Sequence, residues 1–467
     1  MHNSLTKNSR TYACLNKFAN KVHFGLPIRG LIPLLAFLAA CGDSDVPVTS
    51  ATAGESTPNE FRAAYSVGRN QRQHRRFPKD DIWWSAYGDD QEWSFRNVQQ
   101  FFPTVNVYRG GQISELRSNP NPAVADYLVD TPAGPMSFDD LVHSDLTTAM
   151  GVIVLHKGQV AYERYPRMEH YEMPVYWSVA KQFVGTIVRI LEERGEVDVN
   201  LPIDHYIPEI AASDFAGISV RNVLDMATGL DCADGDYTDR DSCYYRYSMT
   251  IGDGFRTDIA QDNPYDFVAN LQGTRRTEQG SEYSYSGLNT FVLAWMVEKI
   301  TGLSFQDVLS REIWYHIGAE SNASYIAARY GVPMTHGGFL ARLRDMARYG
   351  LLFTPSHAVV SDRKIISDEH IGFLWSGGRP ALRGNAGLPG VEVSGIKHNI
   401  YQWDEIHANG DYFKGGWAGQ GFMVNPQRDL VAVFISHKKI DESEVSIEPI
   451  LLEVLDRVYG SNAKSFN

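Results

Sequence analysis

The chain has 467 residues, of which 43% are hydrophobic, 12% aromatic and 21% charged, an ordinary globular profile long enough for one large domain or two intimate ones. Its formal charge of −13 makes it a poor partner for phosphate backbones, which disfavours nucleic acid.

Residues 1–40 carry Lys7, Arg10, Lys17, Lys21 and Arg29 and no acid, then end in the apolar run Leu31–Leu38. A basic region followed by so short an apolar run reads as a signal peptide, not a membrane-spanning helix. Leu38-Ala39-Ala40-Cys41 resembles the lipobox of bacterial lipoproteins. That resemblance implies lipidation of Cys41 and a mature chain in the bacterial cell envelope, periplasmic and held at the outer membrane, with the lipid as its only membrane contact. Loss of the five leader cations takes the formal charge from −13 to −18. Cys14 leaves with the leader, so Cys232 and Cys243 remain as an even pair in an oxidising compartment, which predicts a local disulfide.

Residues 41–79, rich in Asp, Ser, Thr, Pro and Gly and closing on the basic patch Arg69–Arg76, read as a tether. Trp83, Trp84, Trp93, Phe95, Phe101, Phe102 and Tyr108 give residues 80–130 the apolar area of an extension wrapped on a main body, 131–467. Within that body, Val152–Leu155 and Gln159–Tyr162 flank Lys157-Gly158 and predict a hairpin. A second hairpin is predicted from Gly421–Val424 and Leu430–Ile435. Helical periodicity covers 179–194, 218–228, 288–300, 303–318, 339–352 and 446–459. Strands at both ends with helices between them predict an α+β fold. Its antiparallel sheet is built from both ends of the body, and a mostly helical insertion covers about residues 200–390.

The chemistry-bearing stretch is Tyr176-Trp177-Ser178-Val179-Ala180-Lys181. Ser178 stands at the first turn of a predicted helix and Lys181 returns to the same face one turn later. An amine so placed can take the proton that makes a serine hydroxyl nucleophilic, and the first-turn N–H groups suit an oxyanion. Ser-x-x-Lys recurs at Ser4, Ser361, Ser394, Ser436 and Ser461, but only the copy at Ser178 opens a long apolar-periodic helix. Glu282-Tyr283-Ser284-Tyr285-Ser286-Gly287 sits just before another helix, where a tyrosine can point into a cleft and serve as phenolate base. Tyr412–Gln420 holds Lys414-Gly415-Gly416-Trp417, a glycine-dense strand that exposes backbone N–H groups.

In this order the three elements resemble the serine β-lactamase and penicillin-binding-protein superfamily. Within it the chain looks most like class C β-lactamases, related esterases and 6-aminohexanoate-oligomer hydrolases, over roughly residues 100–460. The resemblance implies a β-lactamase/transpeptidase-like fold, an acylated Ser178, a Lys181 partner and Tyr285 as the family tyrosine. It also implies an oxyanion hole from the N–H groups of Ser178 and Trp417, with Lys414, Gly415 and Gly416 binding substrate. Gly287 replaces the asparagine of Tyr-x-Asn and Gly415 the threonine of Lys-Thr-Gly, which favours small linear amides or esters over penicillins. Aromatic Trp417, Tyr244, Tyr245 and Tyr247 are expected to wall the cleft, and acidic residues of the 231–241 loop to attract a cationic amine. Calcium in that loop is disfavoured because its spacing departs from the Asp-x-Asp-x-Asp-Gly register.

No cofactor and no metal is expected: His-Glu-x-x-His is absent, as is the Gly-x-Ser-x-Gly of α/β-hydrolases. The expected partner is a small amide or ester substrate, and the sequence sets no oligomeric state. The alternatives are a β-lactamase or D-alanyl carboxypeptidase, and a non-catalytic cell-envelope binding protein on the same fold.

Overall fold

The computed structural model describes residues 89–235, 239–253, 263–327, 329, 331–383 and 395–460. The leader, Cys41, the tether, Trp83, Trp84 and Asp236 lie outside the described residues. Among the described residues the main sheet has strands β1 (Ala149–His156), β2 (Gln159–Arg164), β3 (Ile396–Ile400), β4 (Trp403–His407), β5 (Tyr412–Gly416), β6 (Gln420–Asn425) and β7 (Leu430–Ser436). Their spatial order is β2-β1-β7-β6-β5-β4-β3, every pair antiparallel. The pairing of β7 with β1 joins the two hairpins and so closes the sheet from both ends of the body.

The helices that bear on the sheet and the site are α1 (Lys181–Glu193), α2 (Cys243–Ile251), α3 (Gly287–Thr301), α4 (Leu343–Leu351) and α5 (Ile447–Tyr459). Of these, α2 and α3 belong to the helical region between the strands.

Local chemistry explains the turns. Lys157 and Gly158 both adopt positive φ, which matches the twist of a two-residue hairpin. Alternation then sorts β7: Leu430, Ala432 and Phe434 face Leu451 and Leu455 of α5. Val431, Val433 and Ile435 face the opposite core with Phe183 of α1 and Met346 of α4. The expected mix of helix and antiparallel sheet is what the chain builds.

Several boundaries differ from the periodicity. The stretch predicted as a helix from 339 begins as the strand Phe339–Leu340, because its backbone pairs with Ser324 and Tyr325. The 218–228 pattern yields only Val220–Leu224, ending before Met226 at φ 58°. The 303–318 pattern breaks at Ile313, whose φ of −131° separates Phe305–Glu312 from a short 3₁₀ turn, Trp314–His316. Strands β3 and β4 were not visible in the periodicity.

Residues 89–130 reach the same body. Thr104–Val107 pairs with Ala323–Ile326, and the Val175 amide donates to the Phe95 carbonyl at 3.0 Å. The next amide, Tyr176, donates to Phe339 at 2.8 Å. Both bonds fix the backbone immediately before Ser178.

Candidate active site

Ser178 lies in a 3₁₀ turn, Trp177–Ala180, that runs directly into α1. Trp177 takes φ 43°, so the chain turns sharply before the serine. Gly185 lets α1 sit against the β3–β4 turn: a Cβ there would lie 2.0 Å from the Tyr401 carbonyl oxygen. Gly416 does the same for β5, since its Cβ would meet the Tyr176 carbonyl at 2.7 Å. The end of β5, and with it Trp417, therefore abuts the backbone that carries Ser178.

The structure brings Ser178, Lys181, Tyr285 and Lys414 together. Lys181 Nζ, 1% exposed, donates to Ser178 Oγ at 2.9 Å and to the His336 carbonyl at 2.8 Å. It lies 4.7 Å above the Tyr285 ring. Burial lowers the Lys181 pKa to about 8; Asp234 pulls it back up and Lys414 pushes it further down. Burial, then Asp404 and Asp234, hold the Tyr285 phenol well above its usual range. The phenol is thus neutral, and the phenolate expected from sequence is corrected: two nearby carboxylates and a buried ring disfavour the anion.

Lys414 Nζ donates to the Tyr285 hydroxyl at 3.0 Å and to both oxygens of Asp404 at 2.7 Å. The Gly415 amide also donates to Asp404, at 3.1 Å. Asp234 Oδ2 lies 3.6 Å from Lys181 Nζ, while its Oδ1 accepts the Gly287 amide at the start of α3 at 2.6 Å. Beneath them the His336 ring contacts the Tyr247 hydroxyl at 3.1 Å and Asp253 Oδ2 at 3.3 Å. Burial lowers the His336 pKa to about 3 and raises that of Asp253 to about 8. The second Asp253 oxygen has no hydrogen-bond partner among the described residues.

Cys232 and Cys243 are bonded, tying the Asp234 loop to the first residue of α2. The aromatic wall differs from expectation. Tyr244, Tyr245 and Tyr247 are buried: Tyr247 packs against Phe267 and against Phe291 of α3, and Tyr244 lies against His336. The Trp417 ring packs edge-on against Trp177 and Phe95. Among the described residues no group of three or more His, Cys, Asp or Glu is placed to hold a metal.

Asp404, His336 and Asp253 were missed in the sequence, and Asp234 was seen only as one acid of a loop. The only local signals were a histidine before Gly337-Gly338 and an acid one strand ahead of the glycine-dense segment. Neither has a spacing tied to Ser178.

Comparison with known proteins places the chain. The family model described as Beta-lactamase matches residues 137–455. The chain belongs to the Beta-lactamase family. It is a hydrolase of that fold, and a 6-aminohexanoate-dimer hydrolase of Paenarthrobacter ureafaciens is 28% identical over 365 residues, 77% of this chain and 88% of that one. Penicillin-binding protein 4 of Amycolatopsis lactamdurans is 23% identical over 56% of this chain and 71% of that one. A solved Bacillus anthracis structure, described as a candidate 6-aminohexanoate-dimer hydrolase, superposes with a TM-score of 0.68 at 22% identity, covering 83% of this chain and 97% of that one.

Within the Beta-lactamase family the two glycine departures now have surroundings. A Cβ on Gly287 would come within 2.9 Å of the His336 ring and 3.0 Å of the Tyr244 hydroxyl. A Cβ on Gly415 would be 3.8 Å from Asp404 Oδ2. His336 and Tyr244 fill the space an asparagine would need, and a carboxylate borders the place of the threonine.

Proposed function

We propose that this Beta-lactamase-family hydrolase cleaves small linear amides or esters through an acyl-enzyme on Ser178. The observation that carries the reading is the 2.9 Å contact of Lys181 Nζ with Ser178 Oγ, by an amine whose pKa burial brings to about 8. The neutral amine takes the hydroxyl proton as Oγ adds to the carbonyl carbon. The oxyanion is received by the Ser178 and Trp417 amides, a contribution of about 3–4 kcal/mol per donor. The Tyr285 phenol, which accepts from Lys414 and lies under Lys181, delivers a proton to the departing nitrogen or oxygen and is reprotonated through Lys181. Water then attacks the ester carbonyl, and Ser178 recovers its proton.

Linear substrates are favoured over β-lactams because Gly287 and Gly415 leave two polar side chains out of the cleft. The relative named for a 6-aminohexanoate dimer supports a flexible acyl chain with a cationic end, which the acidic loop that carries Asp234 would favour. The leader supports a lipid anchor on Cys41, to be tested by palmitate labelling of wild type against Cys41→Ala.

A fluorophosphonate should add one label to the wild type and none to Ser178→Ala by intact mass. A label on Ser361, Ser394 or Ser436 would overturn the assignment. A kcat/KM for nitrocefin equal to or above that for p-nitrophenyl butyrate would promote the β-lactamase alternative instead.

A further inference from the structure

Lys414 is the second amine of the cleft, and its donors are fully spent. It is 0% exposed, and its Nζ lies 2.7 Å from each oxygen of Asp404 and 3.0 Å from the Tyr285 hydroxyl. An ammonium has three N–H donors and no acceptor, so two go to the carboxylate and one to the phenol oxygen. The arrangement is built into the sheet. Asp404 stands on β4 and Lys414 on the adjacent β5, one step along from the pairing of Phe413 with Glu405. The Gly415 amide donates to the same carboxylate at 3.1 Å, which fixes its orientation. Arg383, the next cation, goes instead to the Asp404 carbonyl at 2.8 Å and to Glu405 at 3.1 Å.

The direction of the Lys414–Tyr285 bond depends on the charge of the amine. A charged Lys414 only donates, so the Tyr285 oxygen accepts and its own proton is left for another partner. A neutral Lys414 would offer a lone pair, and the Tyr285 proton would turn onto it. Burial pushes the Lys414 amine below its ordinary range, and Asp404 is the largest influence holding it up, ahead of Asp234 and Glu405. We infer that Asp404 is a positioning residue: it keeps Lys414 an ammonium, and so fixes the direction of the Lys414–Tyr285 hydrogen bond and leaves the Tyr285 proton free for transfer. Asp404 itself touches no reacting atom in this scheme. It acts through Lys414 on the hydroxyl that serves as proton donor.

The inference rests on the serine-hydrolase reading, with Tyr285 as the donor to the departing atom, and two esters of one acyl group test it. The full chain is assayed near neutral pH with ethyl butyrate, whose alkoxide needs a proton to leave, and with p-nitrophenyl butyrate, whose phenolate leaves without one. In Asp404→Asn the ethyl-to-nitrophenyl ratio of kcat/KM should fall by about tenfold or more, the loss of a general acid. Asp404→Glu, which keeps the charge, should hold the wild-type ratio even where both rates drop. Tyr285→Phe should lower the ratio as Asp404→Asn does, and combining the two should lower it no further. A merely structural role would slow both esters equally in Asp404→Asn, and a ratio that stays fixed overturns the inference. A ratio that falls as far in Asp404→Glu as in Asp404→Asn overturns it too, because the charge is then not what matters. Should Asp404→Asn fail to fold, Asp404→Ser carries the same expectation and the same refutation. Turnover that persists in Ser178→Ala overturns the underlying reading; an inactive Ser178→Ala beside a fixed ratio in Asp404→Asn leaves that reading standing and removes only the inference.

Discussion

Asp234 and Gly287 are joined across two elements: the first amide of α3 donates to the Asp234 carboxylate at 2.6 Å, while the Asp234 amide donates back to the Tyr285 carbonyl at 2.8 Å. A carboxylate at a helix N-terminus is stabilised by the orphan N–H groups there. The same carboxylate is the largest upward influence on the Lys181 pKa. One side chain thus seats the tyrosine-bearing turn and sets the basicity of the lysine.

Asp234→Asn should therefore move the acid limb of the kcat/KM profile to lower pH, by about one unit, because the largest remaining influences on Lys181, burial and Lys414, favour the neutral amine. A limb that stays in place or moves upward would show that Lys181 is not the titrating base. The variant should also lose about 1 kcal/mol of stability through the weakened cap.

Lys181 carries a stability cost with a definite sign. Its folded pKa of about 8 lies below its ordinary 10.5, so between these values the unfolded chain binds more protons. Stability contributed by this group therefore rises with pH across that window, and the cost is complete below it, about 3 kcal/mol. Lys181→Met should abolish turnover yet raise Tm at pH 7, with the gain shrinking toward pH 10. Thermal melts at both pH values check this, and a lower Tm at pH 7 would refute it.

Reducing the Cys232–Cys243 bridge frees the loop that carries Asp234. The Ser286 hydroxyl donates to the Cys232 carbonyl at 2.5 Å, so the loosened loop also touches the entrance of α3. The Cys232→Ser/Cys243→Ser variant should lose about 2–3 kcal/mol in the loop-entropy picture. Its kcat should fall with it, since Asp234 is no longer held beside Lys181. Denaturant midpoints and kcat measured on the same samples would expose a bridge that matters to neither.

Restoring the family asparagine should not restore β-lactam chemistry. In Gly287→Asn the new side chain meets the His336 ring and the Tyr244 hydroxyl, an overpacking that costs about 1–3 kcal/mol. Nitrocefin turnover should stay at the wild-type level while ester turnover drops. A gain in nitrocefin activity would mean that the pocket yields where the packing says it does not.

The two hairpins, the helix after Ser178 and the one after Tyr285 were legible because each carries its own period or turn signal. Lys157-Gly158 and the apolar positions of α1 and α3 need no distant partner to be read. Asp404 and His336 were illegible for the opposite reason. Asp404 matters because register places it beside Lys414, and His336 because its carbonyl reaches Lys181 from 155 residues away. The phenolate error has the same origin: a tyrosine's neighbours, not its place in a motif, decide whether it ionises. Tyr247 was misjudged because its side of the helix depends on what α3 offers to pack against.

The three-ring cluster of Phe95, Trp177 and Trp417 has a practical side. The family match opens at residue 137, yet Phe95 lies well ahead of it, with rings 5.6 Å from Trp177 and 6.1 Å from Trp417. A chain trimmed to the matched boundary would keep Ser178, Lys181, Tyr285 and Lys414 and lose the ring packed against both tryptophans. The strand Thr104–Val107 would go as well, leaving the edge of Ala323–Ile326 uncovered. The packed body of this hydrolase is longer than its family domain, and part of the difference lies against Trp177, the neighbour of Ser178.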